Sequence, residues 1–346
     1  MRFWSYLLQR LGFVVPILLL VTVIVFVISH LIPGDPARVI AGMYASEGQV
    51  ERLRQEFGLD RPLWEQYLLS LQRMVLHGDF GTSLYTNRPV LSDLLTYFPA
   101  TVELTSFAML LAIVLGIPLG VISARRTNQA ADHVTRFGSL AGLSMPAFWL
   151  GLLLQIVFGF SWGLLPARGR VDSIVALDHP IRELTGIYLM DTLATGNWAG
   201  FRDVVAHIFL PGLVLALAPL GLIARMTRSS LLDVLREEYV KTARGAGLPE
   251  GRVVYRHALR NALIPTVTVI GSMYGFLLGG SFVVESVFDW PGIGLWGVNA
   301  ILNLDFPAII GLTLLYSLMR VASNIAVDLS YYFLDPQIKL AGKYEA

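Results

Sequence analysis

Six long apolar stretches divide the chain, and polar segments separate them. A helix needs about 20 predominantly apolar residues to cross the core of a bilayer. The six stretches all reach that length and cover residues 11–32, 100–123, 137–165, 204–224, 262–284 and 306–327. The pattern predicts an all-α polytopic membrane protein with six transmembrane helices, because a helix satisfies its own backbone in lipid. A soluble all-helical protein would have to bury six helices of this length.

The first stretch follows Arg2 and Arg10, as the apolar region of a secretory signal peptide would. Its apolar run is longer than the about 7–15 residues of a signal peptide, and no small-x-small cleavage site follows closely. We therefore expect residues 1–32 to contain an uncleaved N-terminal transmembrane helix.

Basic residues fall on alternate sides of the predicted spans. One side carries most of them: Arg2, Arg10, Arg125, Arg126, Arg136, Arg225, Arg228, Arg236, Lys241, Arg244, Arg252, Arg256, Arg260, Lys339 and Lys343. On the other side acids outnumber bases in residues 33–99 and 167–203, and residues 286–305 hold no base. By the positive-inside rule, the N-terminus, the loop of residues 225–261 and the C-terminal tail of residues 335–346 face the cytoplasm.

Residues 33–99 are predicted to form a small extracytoplasmic domain between the first two transmembrane helices. Its residues 46–57 indicate one helix, with Ser46 as its cap and Gly58 just past its end. A second, amphipathic helix is predicted in RPLWEQYLLSLQRMV, with apolar residues near one face at Trp64, Leu68, Leu71 and Val75. HGDFGTSLYTNRPV then indicates turns and short strands. Residues 167–203 are expected to form a second exposed loop.

Composition supports a membrane protein and gives no indication of an enzyme. Hydrophobic residues make up 55% of the chain and charged residues 15%, whereas a soluble domain carries about 25% charged residues. The net charge of +1 gives no indication of nucleic-acid binding, and the absence of cysteine excludes disulfides and thiol catalysis. Neither a Gly-x-x-x-x-Gly-Lys-Ser/Thr phosphate loop nor a His-Glu-x-x-His zinc motif occurs. We expect no catalytic residue, cofactor-binding residue or metal ligand in this chain.

Ionisable residues are rare inside the predicted spans and by default suggest function. Glu103 is placed one turn into the second span, where we expect it to reach water. Arg320 is placed about two-thirds of the way to the cytoplasm and would snorkel or pair, and Asp328 marks the inner end of the last span. These groups form no chain across the midplane, which disfavours a proton-coupled transporter.

Small residues recur on one face of the fifth span. Gly271, Gly275 and Gly279 are four residues apart, and Gly280 follows. Such spacing lets two helix backbones approach closely. It fits a packed interface with another helix or subunit, and it also fits a narrow translocation path with a wall of small residues.

The polar segment of residues 237–261 predicts two helices with a sharp stop between them. Residues 231–246 favour a helix whose one side carries Tyr239, Thr242, Ala243 and Ala246. Gly247 can take the left-handed conformation that ends a helix, and Pro249 can start the next one. The small side would suit a groove in another protein, while the basic residues would contact an acidic rim or lipid headgroups.

This segment resembles the cytoplasmic coupling loop of ABC-importer permeases. The loose pattern of that loop is Glu-Ala-Ala, three residues, Gly, nine residues and Ile-x-Leu-Pro. Ala243, Gly247 and Leu259 match it, whereas Lys241 and Arg260 depart from it. The departures are similar to the dipeptide/oligopeptide/nickel subfamily, in residues 239–248 and 256–265. Further resemblances to that subfamily run along nearly the whole chain: LIPGDPA, FGLDRPLWEQY, GDFGTS, VVESVFDWPGIG and DPQI.

The resemblance implies the B-type membrane subunit of an ATP-driven peptide importer in a bacterial inner membrane. Its fold would be the type I ABC-importer permease fold, with a core of five transmembrane helices in residues 100–334. Its partners would be a second permease subunit in a heterodimer, two ATP-binding subunits that hold ATP and Mg²⁺, and an extracytoplasmic substrate-binding protein.

The resemblance also carries roles onto individual residues. Coupling to the ATPase subunits would fall on Tyr239, Lys241, Thr242, Ala243, Arg244, Gly247 and Leu248. The outer gate would include Glu285, Asp289, Trp290 and Pro291. Relatives in this subfamily move nickel, glutathione or oligosaccharides, so these substrates remain alternatives to di- and oligopeptides. An ion-driven secondary transporter or a non-transporting scaffold are the competing classes.

Overall fold

The computed structural model describes residues 12, 15–27, 38, 45–56, 58 and 60–334. These residues form helices and turns, and their one bridge of strand type pairs Thr82 with Pro89. The helices are α1 Val15–Val27, α2 Glu47–Glu56, α3 Leu63–His77, α4 Val90–Arg125, α5 Ala130–Ser144, α6 Ala147–Ser161, α7 Ser173–Asp178, α8 Tyr188–Thr195, α9 Trp198–Val234, α10 Glu238–Gly245, α11 Glu250–Gly280, α12 Phe282–Phe288, α13 Ile293–Leu302 and α14 Phe306–Leu334.

Four of these helices are long and apolar enough to cross a membrane, namely α4, α9, α11 and the part of α14 over Phe306–Ala326. The bent pair of α5 and α6 makes a fifth if it counts as one span. These helices confirm the prediction of an α-helical protein that crosses the membrane several times. Of the first predicted span, residues 15–27 form the shorter apolar helix α1, and most of its remaining residues lie outside the described part of the chain. The predicted tail of residues 335–346 also lies outside it.

The prediction of one continuous third span over residues 137–165 was wrong. The chain bends by 102° between α5 and α6. Met145, which precedes Pro146, is extended with φ −77° and ψ 128°, because the proline ring disfavours a helical conformation in the residue before it. The second half ends in a π-helical segment, Gln155–Ser161. Counting apolar residues detects the length of such a segment but not its bend.

The chain divides into two compact units. One comprises residues 1–3, 99–295 and 319–346, and the other comprises residues 4–98 and 296–318. In the first unit α9 lies at the centre and packs against α5 and α11. Its core includes the buried residues Ala100, Leu104, Ala108, Ala112, Ile208, Val214, Ala216, Ile223, Phe288 and Trp290. A Cβ at Gly120 would lie 2.6 Å from the carbonyl oxygen of Ala224, so glycine lets α4 and α9 approach closely.

In the second unit the two predicted helices of residues 33–99 are present as α2 and α3. The Gln49 side chain accepts a hydrogen bond of 2.9 Å from the Ser46 backbone N–H, which is half of a capping box. Gly78 ends α3 in the left-handed conformation. Between α3 and α4, residues 78–89 form turns and the single bridge, so the predicted short strands were wrong.

The predicted apolar face of α3 is not a core face in this chain. Trp64, Leu68 and Val75 are exposed, and α3 has no buried residue. Leu71 lines a small apolar pocket together with residues of α1 and α14. Helical periodicity therefore identified the element but not what it packs against.

Candidate functional site

The polar segment after α9 folds as two helices separated by a sharp stop, as predicted. Gly247 has φ +77°, which favours glycine because a Cβ would strain this backbone. Pro249 directly precedes α11 with φ −63° and ψ 139°. The expected start at Leu231 was wrong, since α9 continues to Val234 and α10 begins only at Glu238.

The inner face of α10 is fixed by Val240, which is completely buried. We call the apolar group around it the inner cluster: Val121, Ala124, Leu231, Val240, Val253, Val254, Ala258 and Ala262. The members come from α4, α9, α10 and α11, so α10 rests on three long helices at once. Ala243 and Leu248 also pack against this cluster. The expectation that Ala243 faces outward with Thr242 was therefore wrong.

The outer face of α10 is exposed and carries Lys241, Thr242 and Arg244, and Ala246, which caps the helix, is exposed beside them. Two of its cations already have partners within the chain. The Lys241 ammonium lies 2.7 Å from the Glu238 carboxylate. The Arg244 guanidinium donates two hydrogen bonds to Glu250, of 2.7 and 3.1 Å, across the turn at Gly247.

Tyr239 joins α10 to α11 from the same exposed side. Its hydroxyl accepts a hydrogen bond of 2.9 Å from the Asn261 side-chain amide. Both cations of α10 are thus paired within the chain, and its outward face carries Lys241, Thr242 and Arg244.

A buried ion pair that no sequence pattern indicates braces α9 just before this segment. Asp132, at the start of α5, is completely buried and accepts hydrogen bonds of 2.7 and 2.9 Å from the Arg228 guanidinium. It also accepts from the Ser123 hydroxyl at 2.6 Å and from the Asn128 backbone at 2.9 Å. In the sequence, Arg228 contributes only to the positive charge predicted for the cytoplasmic side. Its partner Asp132 is 96 residues away, so no local pattern indicates the pair.

The four residues predicted for the outer gate divide into two buried and two exposed. Glu285 and Trp290 are completely buried, whereas Asp289 and Pro291 are exposed. The Trp290 indole donates a hydrogen bond of 2.8 Å to the Ala100 carbonyl of α4. Asp289 takes the left-handed conformation that ends α12.

Glu285 holds together the turn between α12 and α13. One carboxylate oxygen accepts from the Thr101 and Ser281 hydroxyls at 2.8 and 2.6 Å. The other accepts from the backbone N–H groups of Gly294 and Leu295 at 2.7 and 3.1 Å. A buried carboxylate is tolerated when its oxygens are hydrogen-bonded in this way.

The glycines of the Pro-Gly-Ile-Gly sequence are explained by this carboxylate. A Cβ at Gly292 would lie 2.5 Å from the Thr101 hydroxyl, and one at Gly294 would lie 2.8 Å from a Glu285 oxygen. Both distances are shorter than side chains adopt, so neither position has room for a larger residue.

The expectation that Glu103 reaches water was wrong. Its side chain is completely buried and forms an ion pair with Arg170, whose Nε lies 2.7 Å from a carboxylate oxygen. The Leu189 backbone N–H donates to the other oxygen at 2.6 Å. Residues 167–203 are therefore not a plain exposed loop, because α7, α8 and the start of α9 order them.

Ordered structure in this loop depends on Asp191. This buried carboxylate accepts four hydrogen bonds, from the backbone of Leu184, Thr185 and Gly186 and from the Thr185 hydroxyl. Burial by itself raises the pKa of Asp191, but these hydrogen bonds outweigh it and hold the pKa below its ordinary value.

The glycines of α11 have different neighbours. A Cβ at Gly275 would lie 2.6 Å from the Ser323 Cβ of α14, and the Ser323 hydroxyl donates to the Gly271 carbonyl at 3.0 Å. At Gly279 no described atom lies within 4 Å of the Cβ position, and at Gly280 the nearest is Phe276 at 3.6 Å. The described residues contain no cluster of His, Asp or Glu that could hold a metal ion.

Two family comparisons cover most of the chain. Residues 116–340 match the family described as binding-protein-dependent transport system inner membrane component. Residues 3–105 match the family described as the N-terminal part of the membrane component of such systems.

Individual relatives match over nearly their whole length. A probable D,D-dipeptide transport system permease protein of Escherichia coli is 47% identical over 99% of this chain and 99% of the relative. Dipeptide transport system permease proteins of Escherichia coli and Alkalihalophilus pseudofirmus are 43% and 42% identical, each over 97% of this chain and 98% and 99% of the relative. With α10 resting on three long helices and matches of this extent, the chain belongs to the family of inner membrane components of binding-protein-dependent transport systems.

Proposed function

We propose that this chain is the B-type permease subunit of an ATP-driven importer of di- and oligopeptides, and that α10 couples it to separate ATP-binding subunits. The observation that carries the proposal is the position of α10. Val240 fixes it to the ends of α4, α9 and α11, while its opposite face is exposed. A helix held in this way can transmit a push from a partner to three spans.

The coupling step follows from this arrangement. ATP and Mg²⁺ would be bound by two partner subunits, whose closure moves α10. The Arg244–Glu250 ion pair holds α10 to α11 across the Gly247 turn, and the Arg228–Asp132 pair holds α9 to α5. Because these contacts keep the segment rigid, its displacement would reorient the spans and switch the path from outward-facing to inward-facing.

The outer gate is assigned to the turn between α12 and α13. Glu285 and Trp290 fix this turn from inside, and Asp289 and Pro291 lie on its exposed side, where a substrate or a partner subunit would meet it. Charge distribution supports an orientation with this turn outside and α10 inside. Both termini would then be cytoplasmic, and residues 33–99 would be extracytoplasmic.

The substrate class rests on the relatives. Three permeases that match over nearly the whole chain are named for dipeptides, and one of them for D,D-dipeptides. Substrate would be delivered by an extracytoplasmic binding protein, and the path would be completed by a second permease subunit. Nickel, glutathione and oligosaccharides are the alternatives within this subfamily.

Reconstitution tests the proposal. The chain is assembled with the second permease and both ATP-binding subunits in proteoliposomes, and the binding protein is added with radiolabelled L-alanyl-L-alanine, D-alanyl-D-alanine, glutathione or Ni²⁺. We expect dipeptide uptake that requires both ATP and the binding protein. Uptake by the chain alone, driven by an ion gradient and indifferent to ATP, would instead show a secondary transporter.

A further inference from the structure

Two separate loops are fastened to one turn of α4, residues 100–103. From the gate side, Trp290 bonds to the Ala100 carbonyl, and the Ile293 N–H donates to the Thr101 hydroxyl at 2.8 Å. From the loop of residues 166–197, Arg170 and the Leu189 N–H both bind the Glu103 carboxylate. The position of the loop and the position of the gate turn are therefore set by the same helical turn.

Arg170 is one of the groups that lie between the two loops. The Gln155 amide also bridges them, donating to the Ala167 and Val287 carbonyls at 2.8 Å, and the Gly169 N–H donates to the Phe288 carbonyl at 2.9 Å. The Arg170 Nη2 donates to the Gly186 carbonyl at 2.6 Å, while its Nε binds Glu103. Its guanidinium carbon lies 3.6 Å from the centre of the Tyr188 ring and 5.8 Å from that of Trp290. Only a planar guanidinium can stack on a ring and donate in fixed directions at the same time.

Burial makes this contact costly to break. The Arg170 side chain is 8% exposed and that of Glu103 is fully buried. Replacing a buried pair by apolar groups can be neutral, but removing one partner leaves the other charge uncompensated. A group of this kind fixes a geometry more than it adds net stability.

We infer that Arg170 is a positioning residue for the outer gate. It keeps the turn at Trp290 aligned with the loop of residues 166–197, so that the outer gate closes when the spans reorient. This inference rests on the proposed transport function and adds a residue that neither the subfamily motifs nor the predicted gate residues include. When Arg170 is lost, ATP hydrolysis should continue while peptide movement becomes uncoupled from it.

The functional arm measures ATP hydrolysed per dipeptide transported in the reconstituted four-subunit complex with binding protein. For Arg170→Gln we expect this ratio to rise about tenfold, within the usual range of coupling effects, while basal ATP hydrolysis stays within about twofold of the unmodified complex. Arg170→Lys keeps the charge toward Glu103 but loses the stacking on Tyr188. Its ratio should therefore lie between that of the unmodified complex and that of Arg170→Gln.

Matched controls come from the same loop. Arg168→Gln and Arg182→Gln remove the same charge from exposed positions, and the ratio should not change for either. A ratio for Arg170→Gln that equals that of Arg168→Gln would overturn the inference while leaving the transport function intact.

The structural arm uses the absence of cysteine from the chain. Thr192→Cys places a thiol on α8 at a position that is 1% exposed, one turn beyond Tyr188. A membrane-impermeant maleimide should leave it unlabelled when Arg170 is present and label it rapidly in the Arg170→Gln background. Continued protection in that background would overturn the inference. Because labelling needs no transport, this arm decides the positioning even where uptake itself fails.

Discussion

The Glu285 carboxylate shows how one buried residue can account for a sequence motif. Its two oxygens face different donors, two hydroxyls on one side and two backbone N–H groups on the other. The neighbouring glycines leave it room. In the sequence, Glu285 was one of four residues assigned to a gate by resemblance, with no indication that it points inward.

Glu285→Gln should destabilise the chain by about 1–3 kcal/mol, because the amide nitrogen cannot accept, so either the two hydroxyls or the two backbone N–H groups lose their acceptor. A thermal unfolding scan in detergent should show a lower Tm. Asp178→Asn is the matched control, since Asp178 is exposed, and it should leave the Tm unchanged. An equal Tm for both variants would contradict the role assigned to the carboxylate.

Asp191 should make the order of the loop of residues 167–203 dependent on pH. Its folded pKa lies below its unfolded value of about 3.9. The carboxylate therefore stabilises the loop above that unfolded pKa, and this contribution is lost as the pH falls through the lower, folded pKa. Hydrogen exchange at residues 184–186, corrected for intrinsic rates, should show protection at neutral pH that disappears in strong acid.

Asp191→Asn tests the same residue without a change of pH. The amide keeps the size of the side chain but cannot accept at both atoms. Residues 184–186 should then exchange faster at neutral pH, and the remaining protection should no longer depend on acid. Unchanged protection in this variant would show that other contacts order the loop.

Among the helices, α11 presents glycines with unlike surroundings on one side. Gly275 touches α14 within the chain, whereas the space beside Gly279 is open among the described residues. The four-residue spacing predicted close approach but could not identify the neighbour at each position. That information depends on how α14 returns to α11 across a long separation in sequence.

Substituting the two glycines by alanine should therefore give different results. Gly275→Ala forces a Cβ against Ser323, and overpacking of this kind costs about 1–3 kcal/mol. The methyl group of Gly279→Ala meets no described atom of the chain, and the substitution gains up to about 1 kcal/mol of helix propensity. Thermal unfolding of the isolated chain should show a lower Tm only for Gly275→Ala.

The same pair can then be compared in the assembled complex. A loss of stability or uptake for Gly279→Ala only after assembly would place Gly279 at a subunit interface or in the path. Equal effects of both variants in the isolated chain would contradict the packing described for α11.

The sequence predicted the helices well and their junctions poorly. Long apolar runs identified the cores of α4, α9, α11 and α14, because burial in lipid requires that composition. The bend before Pro146 was missed, since an apolar count does not register one extended residue. The start of α10 was also misplaced, because residues 231–246 contain good helix formers on both sides of the break.

Long-range polar pairs could not be predicted at all. Glu103 and Arg170 are 67 residues apart, and each by itself looks like an ordinary charge near the end of a span. Only the folded chain brings them together. In the segment of residues 237–261, by contrast, local rules were sufficient, because Gly247 and Pro249 determine the stop and the restart by their own backbone preferences.

Taken together, the contacts describe a chain that is braced at both ends of its spans. The inner cluster and the Asp132–Arg228 pair fix α10 to the helices at one end. At the other end, residues 100–103 of α4 bind the turn between α12 and α13 through Trp290 and the loop of residues 167–203 through Arg170. Since α4 reaches from one set of contacts to the other, the proposed displacement of α10 would have a rigid route to the turn between α12 and α13.

The most direct test of this account alters the exposed face of α10 and leaves its buried face intact. In Thr242→Trp and Ala246→Trp, a large side chain would block contact with an ATP-binding subunit without disturbing Val240. His133→Trp places the same group at an exposed site on α5. We predict that ATP-driven dipeptide uptake in proteoliposomes falls at least about tenfold for the two α10 variants and is unchanged for His133→Trp, with equal Tm values for all three. Full uptake by Thr242→Trp and Ala246→Trp would contradict the claim that α10 couples ATP hydrolysis to transport.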